Sequence, residues 1–197
     1  MFNRTPTNVT YHVGDTAILP CSVRNLGTKE VIWKRKNQKH VITVGDFVFI
    51  SDNSYSIDHR DDSDDWNLII KNVQKSHAGY FECQVSTREN MNITVQLNVI
   101  AVHISGPAFI DKGQPIVLTC NASGPITPDD IDWFKDGKKV RSSAEHISIR
   151  SIRNAETKTL YSTLKIKHGE MTDSGTYICR SSDLEIESHN LMVLNGN

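Results

Sequence analysis

Two β-sandwiches in tandem are the expected architecture of this all-β chain, and three features point to it. A cysteine–tryptophan–cysteine frame occurs twice, as Cys21, Trp33, Cys83 and as Cys120, Trp133, Cys179. Short apolar runs alternate with period 2 between clusters of Gly, Asn, Asp and Pro, the signature of half-buried strands. The 197 residues are too many for one sandwich of about 100 residues and suit two.

The repeated frame is the most informative of these. In each copy the tryptophan follows the first cysteine by 12 or 13 residues, and the second cysteine lies 62 or 59 residues beyond the first. An immunoglobulin-like sandwich needs this arrangement. One cysteine on strand B and one on strand F face each other across the core, and a strand-C tryptophan packs on the bridge. Four cysteines allow three pairings, and only pairing within each half fits the frame: Cys21 with Cys83, Cys120 with Cys179. Such bridges require an oxidising compartment. The expected domains are residues 1–101, variable-type, and residues 102–197, I-set or C2-type.

In the first half, Ala17, Leu19 and Cys21 share the inner side of strand B, and Pro20 removes a ladder donor and forecasts an irregularity. Val31 and Trp33 point inward on C. Val41–Ile50 is long and apolar enough for the additional C′ and C″ strands of a variable-type domain. Trp66, Leu68 and Ile70 face inward on E, Phe81, Cys83 and Val85 on F, and Val95, Leu97 and Val99 on G. The second half repeats the scheme more compactly. Ile116, Leu118 and Cys120 line B, Trp133 anchors C, Leu164 and Ile166 line E, and Tyr177 and Cys179 line F. Asp136-Gly137 is a tight-turn signal for a C–C′ hairpin.

Tyr177, two residues before its cysteine, is placed to return its hydroxyl to the E–F backbone as a tyrosine corner. The first half departs here. His77 stands where the second half has Asp173, and Phe81 where it has Tyr177. Ser54, the place for a strand-D arginine that would pair such an aspartate, is uncharged as well. The expectation is a foldable but weaker base without an orphaned charge. Between the halves, Val99-Ile100-Ala101-Val102-His103-Ile104 lacks glycine and flexible polar residues, which forecasts a stiff, extended connection.

Lysine and arginine number 22 against 23 acids, divided evenly between the halves. That balance offers no basic face for nucleic acid and no polybasic run for a membrane surface. His12, His40, His59, His77, His103, His146, His168 and His189 are scattered without HExxH or paired-ligand spacing, so no metal centre is expected. Asp58, Asp61, Asp62, Asp64 and Asp65 lack the loop glycine and distal glutamate of a calcium-binding EF-hand and read as a solvated D–E turn. With the cysteines in bridges, no nucleophile–base set assembles, and neither enzyme activity nor a cofactor is expected. Asn3, Asn8, Asn92 and Asn121 open Asn-x-Ser/Thr sequons, candidate glycosylation sites that fit an extracellular protein, surface-attached or secreted. No signal peptide or run of membrane length occurs, so the expectation is a trimmed ectodomain fragment that does not itself touch a membrane.

The finer details resemble one family. Gly14-Asp15-Thr16-Ala17-Ile18-Leu19-Pro20-Cys21 and Val23-Arg24-Asn25-Leu26-Gly27 are similar to the first domain of the Dpr (defective proboscis extension response) proteins. So are Ile42-Thr43-Val44-Gly45, Asp64-Asp65-Trp66 and Glu82-Cys83-Gln84-Val85-Ser86-Thr87, with the proline before the cysteine and the Cys-Gln-Val-Ser-Thr run the most discriminating. With two domains, the chain resembles a Dpr member or its nematode zwei-Ig (Zig) counterpart; DIP and IgLON proteins are relatives. The resemblance implies a neuronal adhesion or recognition protein that binds an immunoglobulin protein of the DIP or IgLON type, and weakly itself. It implies contact through the C, C′, C″, F and G face of the first domain, with the second domain as spacer. The alternative is a secreted ligand or decoy that uses the same face.

The residues support that face. Ile32, Lys34 and Lys36 lie on the outer side of C, and Glu82, Gln84 and Ser86 on that of F. An alternate set from Val41 to Phe49 must also point away from the core. Ile42, Val44 and Phe47, with Ile32, are the expected apolar anchors; Lys34, His40, Gln84, Ser86 and Glu89 are expected to supply polar specificity. By alternation Asn92 falls on the same outer side, so a glycan there would stand at the edge of the face.

Overall fold

A computed structural model describes residues 1–196, and the chain divides into two compact units, Met1–Ile100 and Ala101–Asn197. The first unit contains β1 (Asn8–His12), β2 (Ala17–Leu19), β3 (Val31–Arg35), β4 (Val41–Val44), β5 (Phe47–Val48), β6 (Tyr55–Asp58), β7 (Asn67–Ile70), β8 (Gly79–Val85) and the first part of β9 (Asn92–Ser105). One sheet runs β1-β9-β8-β3-β4-β5, and the other runs β2-β7-β6. In immunoglobulin lettering β2 to β9 are B, C, C′, C″, D, E, F and G, so Val41–Ile50 does form both additional strands. The Cys21–Cys83 disulfide links the two sheets, and Trp33 is fully buried in the same apolar cluster. The indole N–H of Trp33 donates to the Trp66 carbonyl at 2.8 Å, so the buried donor is satisfied.

Pro20 ends β2, as its missing N–H requires, and Asn67 Oδ1 instead accepts the Cys21 N–H at 3.2 Å. Trp66 packs against the core as expected, but only in part. It precedes β7, is half-buried, and stacks on His59 with ring centroids 3.5 Å apart. Leu68 and Ile70 alone carry the inner side of that strand.

The base of this unit also differs from expectation. Asp52 lies 3.9 Å from His77 Nε2, so the acid and the base stand at the ends opposite to those of the usual arginine and aspartate. His77 Nδ1 accepts the Gln74 N–H at 2.9 Å, the task that Asp173 Oδ2 performs for the Glu170 N–H at 2.8 Å in the second unit. Phe81 has no hydroxyl to donate, and the Arg35 guanidinium, 4.9 Å above its ring, donates to the carbonyls of Ser76 at 2.9 Å and Ala78 at 3.4 Å.

An imidazole that must accept at Nδ1 resists protonation. Burial holds His77 below its ordinary pKa of 6.5, against the pull of Asp52, and the Arg35 charge adds to the lowering. A backbone bond from Ser54 keeps the Asp52 carboxyl below its usual range, so it stays charged throughout. The unfolded chain takes up a proton near pH 6.5 that the folded unit refuses. This stabilisation is therefore complete above pH 6.5 and is lost as pH falls through the native value below it. The melting temperature of the first unit is expected to drop as pH falls below about 6.5, and His77→Gln should flatten that drop. An equally steep drop in the variant would assign the acid sensitivity elsewhere.

The second unit contains the last part of β9, β10 (Phe109–Asp111), β11 (Ile116–Ser123), β12 (Ile131–Lys135), β13 (Lys138–Lys139), β14 (Ile147–Asn154), β15 (Thr159–Ile166), β16 (Gly175–Ser181) and β17 (Ile186–Leu194). Here β14, β15, β11 and β9 form one sheet and β10, β17, β16, β12 and β13 the other. Strand D, β14, pairs with E, β15, and the first strand is split between sheets, β9 pairing with β11 and β10 with β17. Asp136 and Gly137, with φ of 47° and 80°, close the short β12–β13 hairpin in the left-handed conformation that such a turn demands. The Cys120–Cys179 bridge and Trp133 lie in its core, with the indole donating to Ser162 Oγ at 2.9 Å. Tyr177 donates its hydroxyl to the Asp173 carbonyl at 2.8 Å, and burial pushes its phenol pKa up.

Candidate partner-binding face

Register places the outer side chains of β9, β8, β3, β4 and β5 in rows, because residues directly opposed in a ladder share a side. One row reads Asn92, Gln84, Ile32, Val44, Phe47. The next reads Thr94, Glu82, Lys34, Val41. A two-residue turn, Gly45-Asp46, joins β4 to β5; Gly45 has φ +54°, and a Cβ there would stand 2.7 Å from Glu30 Oε2.

Of the expected anchors, Ile32 and Val44 are half-buried and adjacent, and Phe47 is 73% exposed. Ile42 is a correction. It is only 5% exposed and belongs to the core cluster with Trp33. The cause is a bulge in the β3–β4 ladder: Trp33 opposes Thr43 while Lys34 opposes Val41, so Ile42 is an extra residue turned inward. Val41 takes the outer place instead. Phe49, two residues after Phe47 and on the same side, is 60% exposed with its ring 5.9 Å from that of Phe47. Val48 and Ile50 pack on the core, and this alternation after the glycine turn is the signal that could have nominated Phe49.

The polar residues divide into two groups. Lys34 makes an ion pair with Glu82 at 3.1 Å within the second row, and Gln84 Nε2 of the first row donates to Asn90 Oδ1, just before β9, at 2.9 Å. Tyr80, overlooked in the sequence, continues the same outer side of β8, with Lys36 Nζ 5.9 Å from its ring centre. His40 is exposed between β3 and β4. Ser86 is taken up locally, its Oγ accepting the Glu30 N–H at 2.8 Å. It lies with Glu89 beside Lys29, Arg88 and Met91 around the turn after β8, apart from the apolar row. Among the sequons, Asn3 is held by its neighbours, donating to Ser22 Oγ at 2.9 Å and Asp64 Oδ2 at 3.3 Å. Asn8 and Asn92 are exposed, and Asn121 is half-buried on β11.

On the corresponding side of the second unit the outer residues of β12, β13 and β16 pair with one another, while Ile186 and Met192 of β17 are exposed. Asp132 binds Lys139 at 2.6 Å and Arg180 at 3.0 Å, and Arg180 covers the Phe134 ring at 4.8 Å. Lys139 foremost, with Arg180, holds the Asp132 carboxyl below its usual range. Among the described residues no group of three or more His, Cys, Asp or Glu is arranged to hold a metal ion, and no helix is long and apolar enough to cross a membrane.

Two immunoglobulin sandwiches, the first with exposed phenylalanines on the outer side of its β3–β4–β5 sheet, define a class of binding modules rather than a single protein. Residues 4–100 match the immunoglobulin V-set domain family and residues 98–182 an immunoglobulin domain family, so the chain belongs to the immunoglobulin superfamily. Within it, the chain is similar to the Dpr and Zig proteins. It is 22% identical over 193 residues to the zwei Ig domain protein zig-8 of Caenorhabditis elegans, covering 91% of this chain and 71% of that protein. It is 23% identical over 188 residues to neural cell adhesion molecule 1 of Bos taurus, covering 91% of this chain and 20% of that much longer one. A solved structure of Dpr11 IG1 bound to DIP-gamma IG1 and IG2 contains a chain that matches with 25% identity and a TM-score of 0.53, covering 100% of this chain and 98% of that one.

Proposed function

We propose that this chain is the recognition part of a neuronal cell-surface adhesion protein, binding a related immunoglobulin protein of the DIP or IgLON type through the outer face of β3, β4, β5, β8 and β9. The observation that carries this reading is the run Ile32, Val44, Phe47, Phe49, whose two phenylalanines stand 73% and 60% exposed on one sheet side. Apolar area of that kind, rimmed by Lys34, Glu82 and Gln84, is the anatomy of an interface core and its polar rim. The likeness to a chain of the Dpr11–DIP-gamma complex supports a partner that is itself an immunoglobulin protein. Weak self-association through the same face belongs to the reading. A contact of this kind would bury about 1,200–2,000 Å² in total.

The test is a binding screen of the two-unit chain against a panel of immunoglobulin ectodomains, with a second copy of itself included. Phe47→Ala and Phe49→Ala are each expected to weaken the partner found by about tenfold or more, with the melting temperature unchanged. Undiminished binding by the double variant would remove the face from the reading.

A further inference from the structure

Asn92 stands in the first row of the face, exposed and directly opposite Gln84, with Ile32 one strand further on. Strands lie about 4.8 Å apart, so Ile32 is about 10 Å away and Phe47 about 19 Å. Asn92 opens an Asn92-Ile93-Thr94 sequon. We propose that Asn92 is an N-glycan site whose occupancy closes the β8–β3 half of this face to a protein partner; the inference rests on the face assignment above.

Hydrogen-bond accounting favours Asn92 over Asn3 as a glycan carrier. In glycosylation the amide nitrogen Nδ2 bonds to the anomeric carbon of an oligosaccharide carried on a lipid pyrophosphate. One amide proton is lost and the lipid pyrophosphate leaves. A single N–H therefore remains on the modified side chain. Asn3 uses both of its hydrogens, toward Ser22 and Asp64, and would forfeit one bond. Asn92 uses one, toward Asn90 Oδ1 at 3.2 Å, and keeps it after modification. The same Asn90 oxygen receives the Gln84 amide at 2.9 Å, so the first sugar would emerge beside the side chain that borders Ile32. A glycan is bulky and strongly hydrated, and the apolar run needs a dry contact. Both cannot occupy the space over Gln84 and Ile32. The Phe47–Phe49 end lies beyond the nearest sugars and stays open. Two forms of one chain would then differ in affinity, the unmodified one docking more tightly.

The experiment uses the whole two-unit chain from a glycosylating eukaryotic host. Mass spectrometry reads Asn92 occupancy, and hydroxyl-radical labelling reads the exposure of Ile32 and Phe49 before and after enzymatic glycan removal. Binding to the ectodomain panel and to a second copy is compared for the parent, Asn92→Gln, Thr94→Ala, Thr94→Ser and Val44→Asp. The expected result is an occupied Asn92, with Ile32 labelling that rises on glycan removal while Phe49 labelling does not. Asn92→Gln and Thr94→Ala should bind about tenfold or more tightly than the parent, and Thr94→Ser, which retains the sequon, should match it. An unmodified Asn92, or Ile32 labelling indifferent to the glycan, overturns the proposal. Binding unaffected by Asn92→Gln but abolished by Val44→Asp overturns the glycan gate and leaves the face standing. Binding unaffected by either variant overturns both.

Discussion

Ile42→Asp is expected to unfold the Met1–Ile100 unit, while Val44→Asp, two residues away, is expected to leave it folded and unable to bind. Ile42 is buried at 5% exposure among the core residues, and its carbonyl accepts the Phe49 N–H at 2.8 Å. An aspartate there loses the apolar burial of the isoleucine and must either desolvate a charge or take up a proton. Together these cost about 4 kcal/mol or more, out of the roughly 5–15 kcal/mol by which a domain is stable. Val44 lies on the outer side between Ile32 and Phe47, where water reaches a substituted carboxylate, and the cost to folding is about 1 kcal/mol. Circular-dichroism melts separate the two variants, and a surface-affinity assay scores binding. A folded Ile42→Asp beside an unfolded Val44→Asp would reverse the sides of β4.

Loss of the Cys21–Cys83 bridge should be at least as damaging. The cysteines are 62 residues apart, and closing a loop of that length stabilises the folded unit by about 4 kcal/mol in the chain-entropy account. Both cysteines are fully buried, so a single Cys83→Ser also leaves a hydroxyl and a thiol inside the apolar cluster. The expected outcome is a collapse of secreted yield and loss of the cooperative melt of the first unit. The Cys21→Ala, Cys83→Ala double variant removes the bridge without the buried hydroxyl and should recover part of the loss. Normal secretion with an unshifted melt in Cys83→Ser would mean that the bridge contributes little.

These two cases mark where the sequence was legible. Alternation identified Ala17, Leu19, Leu68, Phe81, Val95 and Leu97 as inward, and each is buried. The same alternation failed at Ile42, because period-2 reasoning presumes an unbroken ladder and the bulge between Trp33 and Lys34 turns Ile42 inward beside Thr43 and Val41 outward, while Val44 keeps its side. Trp66 packs on the core from just before β7, half-buried rather than enclosed, because the strand begins one residue after it. At the base, the missing tyrosine and aspartate were evident. Their replacement by Arg35, Asp52 and His77 was not, because those side chains meet only after distant segments have packed.

Cysteine spacing, tryptophan position and turn residues are local or pairwise quantities, so the two sandwiches, their bridges and the existence of a C′–C″ segment follow from the chain as written. The membership of the outer face does not. Whether Val41 or Ile42 meets solvent, whether Phe49 joins Phe47, and whether Ser86 serves a partner or Glu30 depend on strand register and on hydrogen bonds between residues far apart in the chain. A one-residue shift exchanges the two sides of a strand at little local cost, and only packing of the whole sheet against its core decides between them.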